Sequence, residues 1–129
     1  MGKTRMATIP LLTVMVVEDE ESVRTLTARI LMQAGYNVLT AADGVEALDI
    51  LAEREPPVQV VVTDIRMPRM DGITLASELA LGSHAPPPKF VFMSGNAGAR
   101  STASLPGPFL AKPFTYDELL GLLRDILAV

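Results

Sequence analysis

Short apolar runs rich in β-branched residues alternate along this chain with segments whose apolar residues recur every three or four positions. No other feature restricts the fold as tightly. Leu11 to Val17, Asn37 to Ala41, Val58 to Thr63, Lys89 to Met93 and Phe109 to Ala111 read as strands. The first is apolar enough to be covered on both faces, and the third is the most continuously apolar after it. Between them, Glu20 to Ala34 carries Val23, Leu26, Ile30 and Ala34 at helical spacing and ends at Gly35. Asp43-Gly44 opens a second helix with Val45, Leu48 and Leu51 inward, closed over Glu53 to Pro57 because proline cannot continue a helix. Asp71-Gly72 opens a third, Ile73 to Leu81, with Leu75 and Leu79 on one face, and Gly82 to Pro88 is a loop. Thr115-Tyr116-Asp117-Glu118 is a capping box for a last helix that buries Leu119, Leu122, Leu123 and Ile126. Strand and helix alternating in this way predict a doubly wound α/β domain, a parallel sheet with helices on both faces.

Its 129 residues suit one domain and are too few for two ordinary ones. With 11 basic against 15 acidic residues, the chain lacks the basic footprint of a nucleic-acid binder. It has no cysteine, hence no disulfide framework, which suits the cytoplasm. Lys3 and Arg5 precede an apolar stretch from Ala7 to Val17, which superficially resembles a signal peptide. Pro10 and Thr13 interrupt it, no small-residue cleavage site follows, and the acidic cluster Glu18 to Glu21 comes at once. The stretch is also shorter than the roughly 20 apolar residues that cross a bilayer. A buried strand, with no membrane insertion, is the better reading.

In open parallel sheets, sites form at the carboxyl ends of the strands, where the strand order reverses. The residues leaving the strands are Glu18 and Asp19, Asp64, Ser94 and Lys112. A carboxylate ending a buried run, as Asp64 does in "VVTDIRMPRMDG", is costly unless it is solvated or used. Clustered carboxylates without a balancing arginine invite a hard divalent cation such as Mg²⁺. A lysine opposite them and a serine hydroxyl can hold phosphoryl oxygens. Together these groups point to phosphoryl transfer onto aspartate. Taken singly, each has an ordinary reading: first-turn acids at a helix N-terminus, a turn-forming aspartate, a strand-ending Ser-Gly, a solvated lysine. Their joint placement at four strand ends carries the functional reading. His84, in a proline-rich loop, reads as an ordinary loop residue, and the seven methionines as core filler.

"VMVVEDEESVR", "VVTDIRMPRMDG", "VFMSG" and "FLAKPF", in this order and spacing, resemble the receiver domain of two-component response regulators. The resemblance covers residues 11 to 129, leaving 1–10 as an N-terminal tail. It implies a flavodoxin-like, five-stranded sheet of order 2-1-3-4-5. It makes Asp64 the phosphoacceptor, with Glu18, Asp19, Asp64 and the backbone carbonyl of Arg66 as the Mg²⁺ site. Ser94 and Lys112 become the phosphoryl-contacting residues, Ser94 and Phe109 the switch pair, and the bond into Pro113 cis. Arg66 and Asn96 fall where the family varies and tunes dephosphorylation. The implied partners are a histidine kinase or phosphotransfer protein and a downstream protein target, and the implied chemistry is confined to the chain's own aspartate.

Two departures stand out. Glu18 occupies a position where many members have aspartate, and its longer arm suggests contact with the metal through water. The segment "GNAGARSTASLPGP", Gly95 to Pro108, offers Leu105 as its one large aliphatic residue, so the helix that the family places there is expected to be short or disordered. No output domain fits in the remaining residues. Met1 and the short ends suggest a stand-alone receiver, whereas the "FMSG" wording resembles receivers of hybrid kinases. Two other classes compete. A small-molecule aspartyl-phosphate hydrolase would normally place a second aspartate two residues after the first, where this chain has Arg66. A phosphorylation-independent interaction module predicts loss of a site residue, and none is lost.

Overall fold

The central strands bury every residue, as a parallel sheet covered on both sides requires. In the computed structural model, which describes residues 12–53, 58–82, 87–95 and 105–128, β1 (Thr13–Val17) and β3 (Val60–Asp64) are buried from end to end. β2 (Asn37–Ala41), β4 (Lys89–Ser94) and β5 (Phe109–Ala111) complete one sheet of order β2-β1-β3-β4-β5, with every neighbouring pair parallel. This is the doubly wound α/β architecture. The expectations for the tail, for the stop at Pro56 and Pro57, for His84, for Asn96 and for a helix over 97–104 fall outside the described residues.

Four helices are described. α1 (Glu21–Gln33) and α4 (Tyr116–Leu127) cover one face of the sheet; α2 (Gly44–Ala52) and α3 (Gly72–Leu81) cover the other. Alternation along the strands feeds both layers. Val14, Val16, Val60 and Val62 pack with Leu31, Leu119 and Leu123, whereas Met15, Val17 and Val61 pack with Leu51, Leu75 and Leu79. Each fully buried aliphatic side chain contributes about 1.5–3 kcal/mol.

The helix starts follow from their caps. Asp43 accepts from the Glu46 amide at 2.9 Å, and Asp71 accepts from the Thr74 amide at 2.7 Å. Thr115 and Glu118 form the reciprocal box that opens α4, at 3.1 and 2.8 Å. Gly35 ends the first helical segment at φ +103°, a left-handed conformation that costs glycine nothing.

The buried stripe of α1 differs from the spacing-based reading. Thr27, Ala28 and Leu31 face the sheet, while Leu26 is 60% exposed and Ala34 caps the helix. Thr27 can be fully buried because its hydroxyl donates to the Val23 carbonyl at 2.7 Å, which removes the cost of burying a polar group. In α2, likewise, Gly44, Ala47 and Leu51 are the buried positions. Leu105 and Phe109 pack partly buried against the core on the α2–α3 side.

Candidate phosphoacceptor and metal site

The strand order reverses at β1 and β3, and their carboxyl ends bring the acidic residues together. Asp64 is the last residue of β3, and Glu18 directly follows β1. The neighbouring strand ends are held in line by backbone bonds: Glu18 N to Ala41 O at 3.1 Å, Ile65 N to Met93 O at 2.9 Å, and Lys112 N to Ser94 O at 3.0 Å. One row of main-chain pairing therefore sets the positions of Glu18, Asp64, Ser94 and Lys112. Carboxylate oxygens of Glu18, Asp19 and Asp64 lie within 4.8 Å of one another.

Among the described residues, charge balance in this cluster comes from Lys112. Lys112 Nζ lies 2.5 Å from Glu18 Oε1 and 3.2 Å from Asp64 Oδ2. Glu18 is 1% exposed, and its other oxygen accepts from the Glu20 amide at 3.1 Å. Asp19 is exposed, at the open side of the cluster. Burial pushes the Asp64 carboxyl up to about 7; the negative charge of Glu18 adds to the rise, and the positive charge of Lys112 opposes it. Burial would also raise Glu18, but the bonds from Lys112 and the Glu20 amide outweigh it and hold that carboxyl below its usual range. Burial would lower Lys112, and its bond to Glu18 and the charges of both acids outweigh that, so the ammonium is retained.

The donor set fits a hard divalent cation. It has carboxylate oxygens only, one carboxylate facing solvent, and more negative charge than one lysine neutralises.

The turn after the acceptor explains the spacing from Asp64 to Gly72. The Gly72 amide donates to Ile65 O at 2.8 Å, closing the loop, and a Cβ on Gly72 would collide with the carbonyl oxygen of Asp64. Only glycine allows the helix to start that close to the strand end. Thr63 lies fully buried beneath, its hydroxyl donating to Asp64 O at 2.9 Å. Arg66 is exposed on this loop.

Ser94 ends β4 half-buried, and Phe109 begins β5 opposite Phe92. The Lys112–Pro113 peptide is cis. Three contributors went unread in the sequence. Arg24 donates to the Glu18 carbonyl at 2.7 Å and so holds the loop after β1. Asp43 and Arg69 form an ion pair at the far side of the acceptor loop. The third is an apolar groove lined by Val23, Leu26, Thr27, Gly95, Pro113 and Phe114, with Lys112 among its lining residues. Arg24 stands in the "EDEESVR" motif, but nothing in its spacing marks a backbone contact.

Comparison with known proteins agrees with this geometry. The family model for the response regulator receiver domain matches residues 14–124. The sensor kinase CckA of Brucella abortus is 44% identical over 119 residues, a match that covers 89% of this chain and 12% of that kinase. The crystal structure of the receiver domain from the hybrid histidine kinase CckA superposes with a TM-score of 0.73 at 34% identity, covering 89% of this chain and 98% of that one. The response regulator TrrA from Thermotoga maritima, in complex with Mg²⁺ and BeF, superposes at 0.78 with 28% identity, covering 91% of this chain and all 100% of that one.

Proposed function

This chain belongs to the response regulator receiver domain family, and on that premise we propose that it accepts a phosphoryl group on Asp64 from a histidine kinase or phosphotransfer protein. The observation that carries the reading is a buried carboxylate at a strand end, 8% exposed, bonded to Lys112 and clustered with two further acids.

Each residue has a role in the transfer. An Asp64 oxygen forms the new O–P bond while the donor's N–P bond breaks, and the electron pair stays on the donor's imidazole nitrogen, which takes up a proton. Asp19 and Asp64, with the carbonyl of Arg66, would hold Mg²⁺, which when bound neutralises charge on the phosphoryl oxygens. Glu18, already engaged by Lys112 and the Glu20 amide, keeps the lysine beside Asp64 and would add its negative charge to the metal site. Lys112 and the Ser94 hydroxyl donate to phosphoryl oxygens once the group has arrived. Ser94 and Phe109 then shift together and alter the surface read by a downstream protein.

The groove of Val23, Leu26, Pro113 and Phe114 is where the phosphodonor would dock. It is apolar, it borders Lys112, and Leu26 lies 60% exposed within it. The chemistry is confined to the chain's own aspartate, without turnover of a separate substrate, and belongs in the cytoplasm. Among the described residues no helix is long and apolar enough to cross a membrane.

Intact-mass spectrometry after incubation with Mg²⁺ and a small phosphodonor tests the proposal. One added phosphoryl group that fails to form in chelator and in Asp64→Asn supports it; an Asp64→Asn protein that still labels overturns it.

A further inference from the structure

Arg69 stands in a conformation that its residue type disfavours. Its φ of +69° is left-handed, the only positive φ at a non-glycine among the described residues. Such a position costs an ordinary L-residue about 1–2 kcal/mol, which glycine avoids. A compensating contact is therefore expected, and one is present. The guanidinium grips the Asp43 carboxylate with two bonds, Nε to Oδ2 and Nη2 to Oδ1, both at 3.0 Å. Asp43 is itself fixed, because Oδ1 also accepts from the Glu46 amide as the cap of α2.

The place of this pair in the fold gives it a consequence. Residues 65–71 link the acceptor Asp64 to α3. Their base is closed by the bond from Gly72 N to Ile65 O, and their apex turns through the Met70 N to Pro68 O bond at 2.8 Å. The apex lies against the start of α2, where a Cβ on Gly44 would meet Met70 at 2.9 Å. Arg69 supplies the polar tie that fastens this apex to another element, 26 residues away in sequence.

We propose that the Arg69–Asp43 clasp is a positioning device that pre-organises the loop after Asp64 and thereby raises the site's affinity for a divalent cation. The inference rests on the phosphoacceptor reading given above, in which Asp64 and a main-chain oxygen of this loop hold the metal. Without the clasp the loop must be ordered when the cation binds, and that ordering is subtracted from the affinity. A bidentate but partly exposed pair, with Arg69 58% exposed, sets the size of the loss at about two- to fivefold.

Calorimetric titration of Mg²⁺ into the chelator-treated full chain tests this, with the melting temperature measured on the same samples. Arg69→Ala and Asp43→Asn, the latter retaining a competent helix cap, should each bind about two- to fivefold more weakly. The double variant should be no weaker than the weaker single one. Arg69→Gly separates positioning from stability: it removes the left-handed cost, so its melting temperature should hold or rise while its Mg²⁺ affinity falls. Wild-type affinity in Arg69→Gly and Arg69→Ala, or losses that add in the double variant, would overturn the clasp. If the wild-type chain takes up no Mg²⁺, the reading of the acidic site fails and the clasp's role falls with it.

Discussion

Asp64 should destabilise the metal-free protein at neutral pH, and replacing it should show by how much. Its carboxyl is pushed from an ordinary 3.8 to about 7 by burial and by the Glu18 charge. A carboxyl whose folded pKa is raised holds its proton in the native state after the unfolded chain has released it. Stability therefore falls as pH rises from about 4 to about 7, and is flat above. At about 1.4 kcal/mol per unit, the full rise corresponds to about 4 kcal/mol. Relaxation of Lys112 and entry of water reduce this, so Asp64→Asn should be more stable than wild type by about 2–4 kcal/mol at pH 8. Near pH 4 the two proteins should be nearly equal. For a chain of this size the gain amounts to roughly 5–15 °C in melting temperature. Urea unfolding of both proteins in chelator, at half-unit steps from pH 4 to 8, measures the difference; carboxylates distant from Asp64 cancel, and Glu18, coupled to it, contributes to the same pH window. Parallel curves across that range would refute the argument, because Asp64 would then gain no strain from its burial. Saturating Mg²⁺ should close the gap from the wild-type side by binding the native state.

Lys112→Ala should lower stability by about 2–3 kcal/mol at pH 7, since it leaves Glu18, 1% exposed, without its cation; urea unfolding that matches wild type would contradict this. Asp19→Asn should weaken Mg²⁺ binding at least tenfold and slow labelling by a small phosphodonor, while leaving the melting temperature of the chelated protein within a degree or two, because Asp19 is solvent-exposed. Leu26→Glu should cut transfer from a cognate phosphohistidine protein about tenfold or more without changing labelling by a small phosphodonor. Equal losses with both donors would remove the groove from the docking surface.

The sheet, its central strands and the strand-end positions of the candidate site residues were legible because strand ends are punctuated by chemistry. Val60 to Val62 cannot be anything but buried, and the first carboxylate after them marks where the strand leaves the core. Lys112 and Glu18 are 94 residues apart, yet both could be placed, since a parallel sheet collects its carboxyl ends on one edge. The face of α1 was less readable. Spacing favoured Leu26, whereas Thr27 is the buried residue, because a threonine that bonds its own helix behaves as an apolar side chain. Leu105 has no large apolar partner within its own segment; in the fold it packs against the core cluster on the α2–α3 side, which strand and helix residues build together. The Arg69–Asp43 pair could not be anticipated at all. It depends on a left-handed turn and on the docking of one loop against another helix, neither of which leaves a period in the sequence.

On the proposal above, Asp64 and no other group receives the phosphoryl. Peptide-level mass spectrometry after Mg²⁺-dependent phosphorylation and borohydride trapping of the acyl phosphate tests it most directly. The reduced residue should lie at position 64 alone, with none at 18 or 19. Trapping at Glu18 or Asp19, or stable phosphate on His84 with Asp64 unmodified, would contradict it.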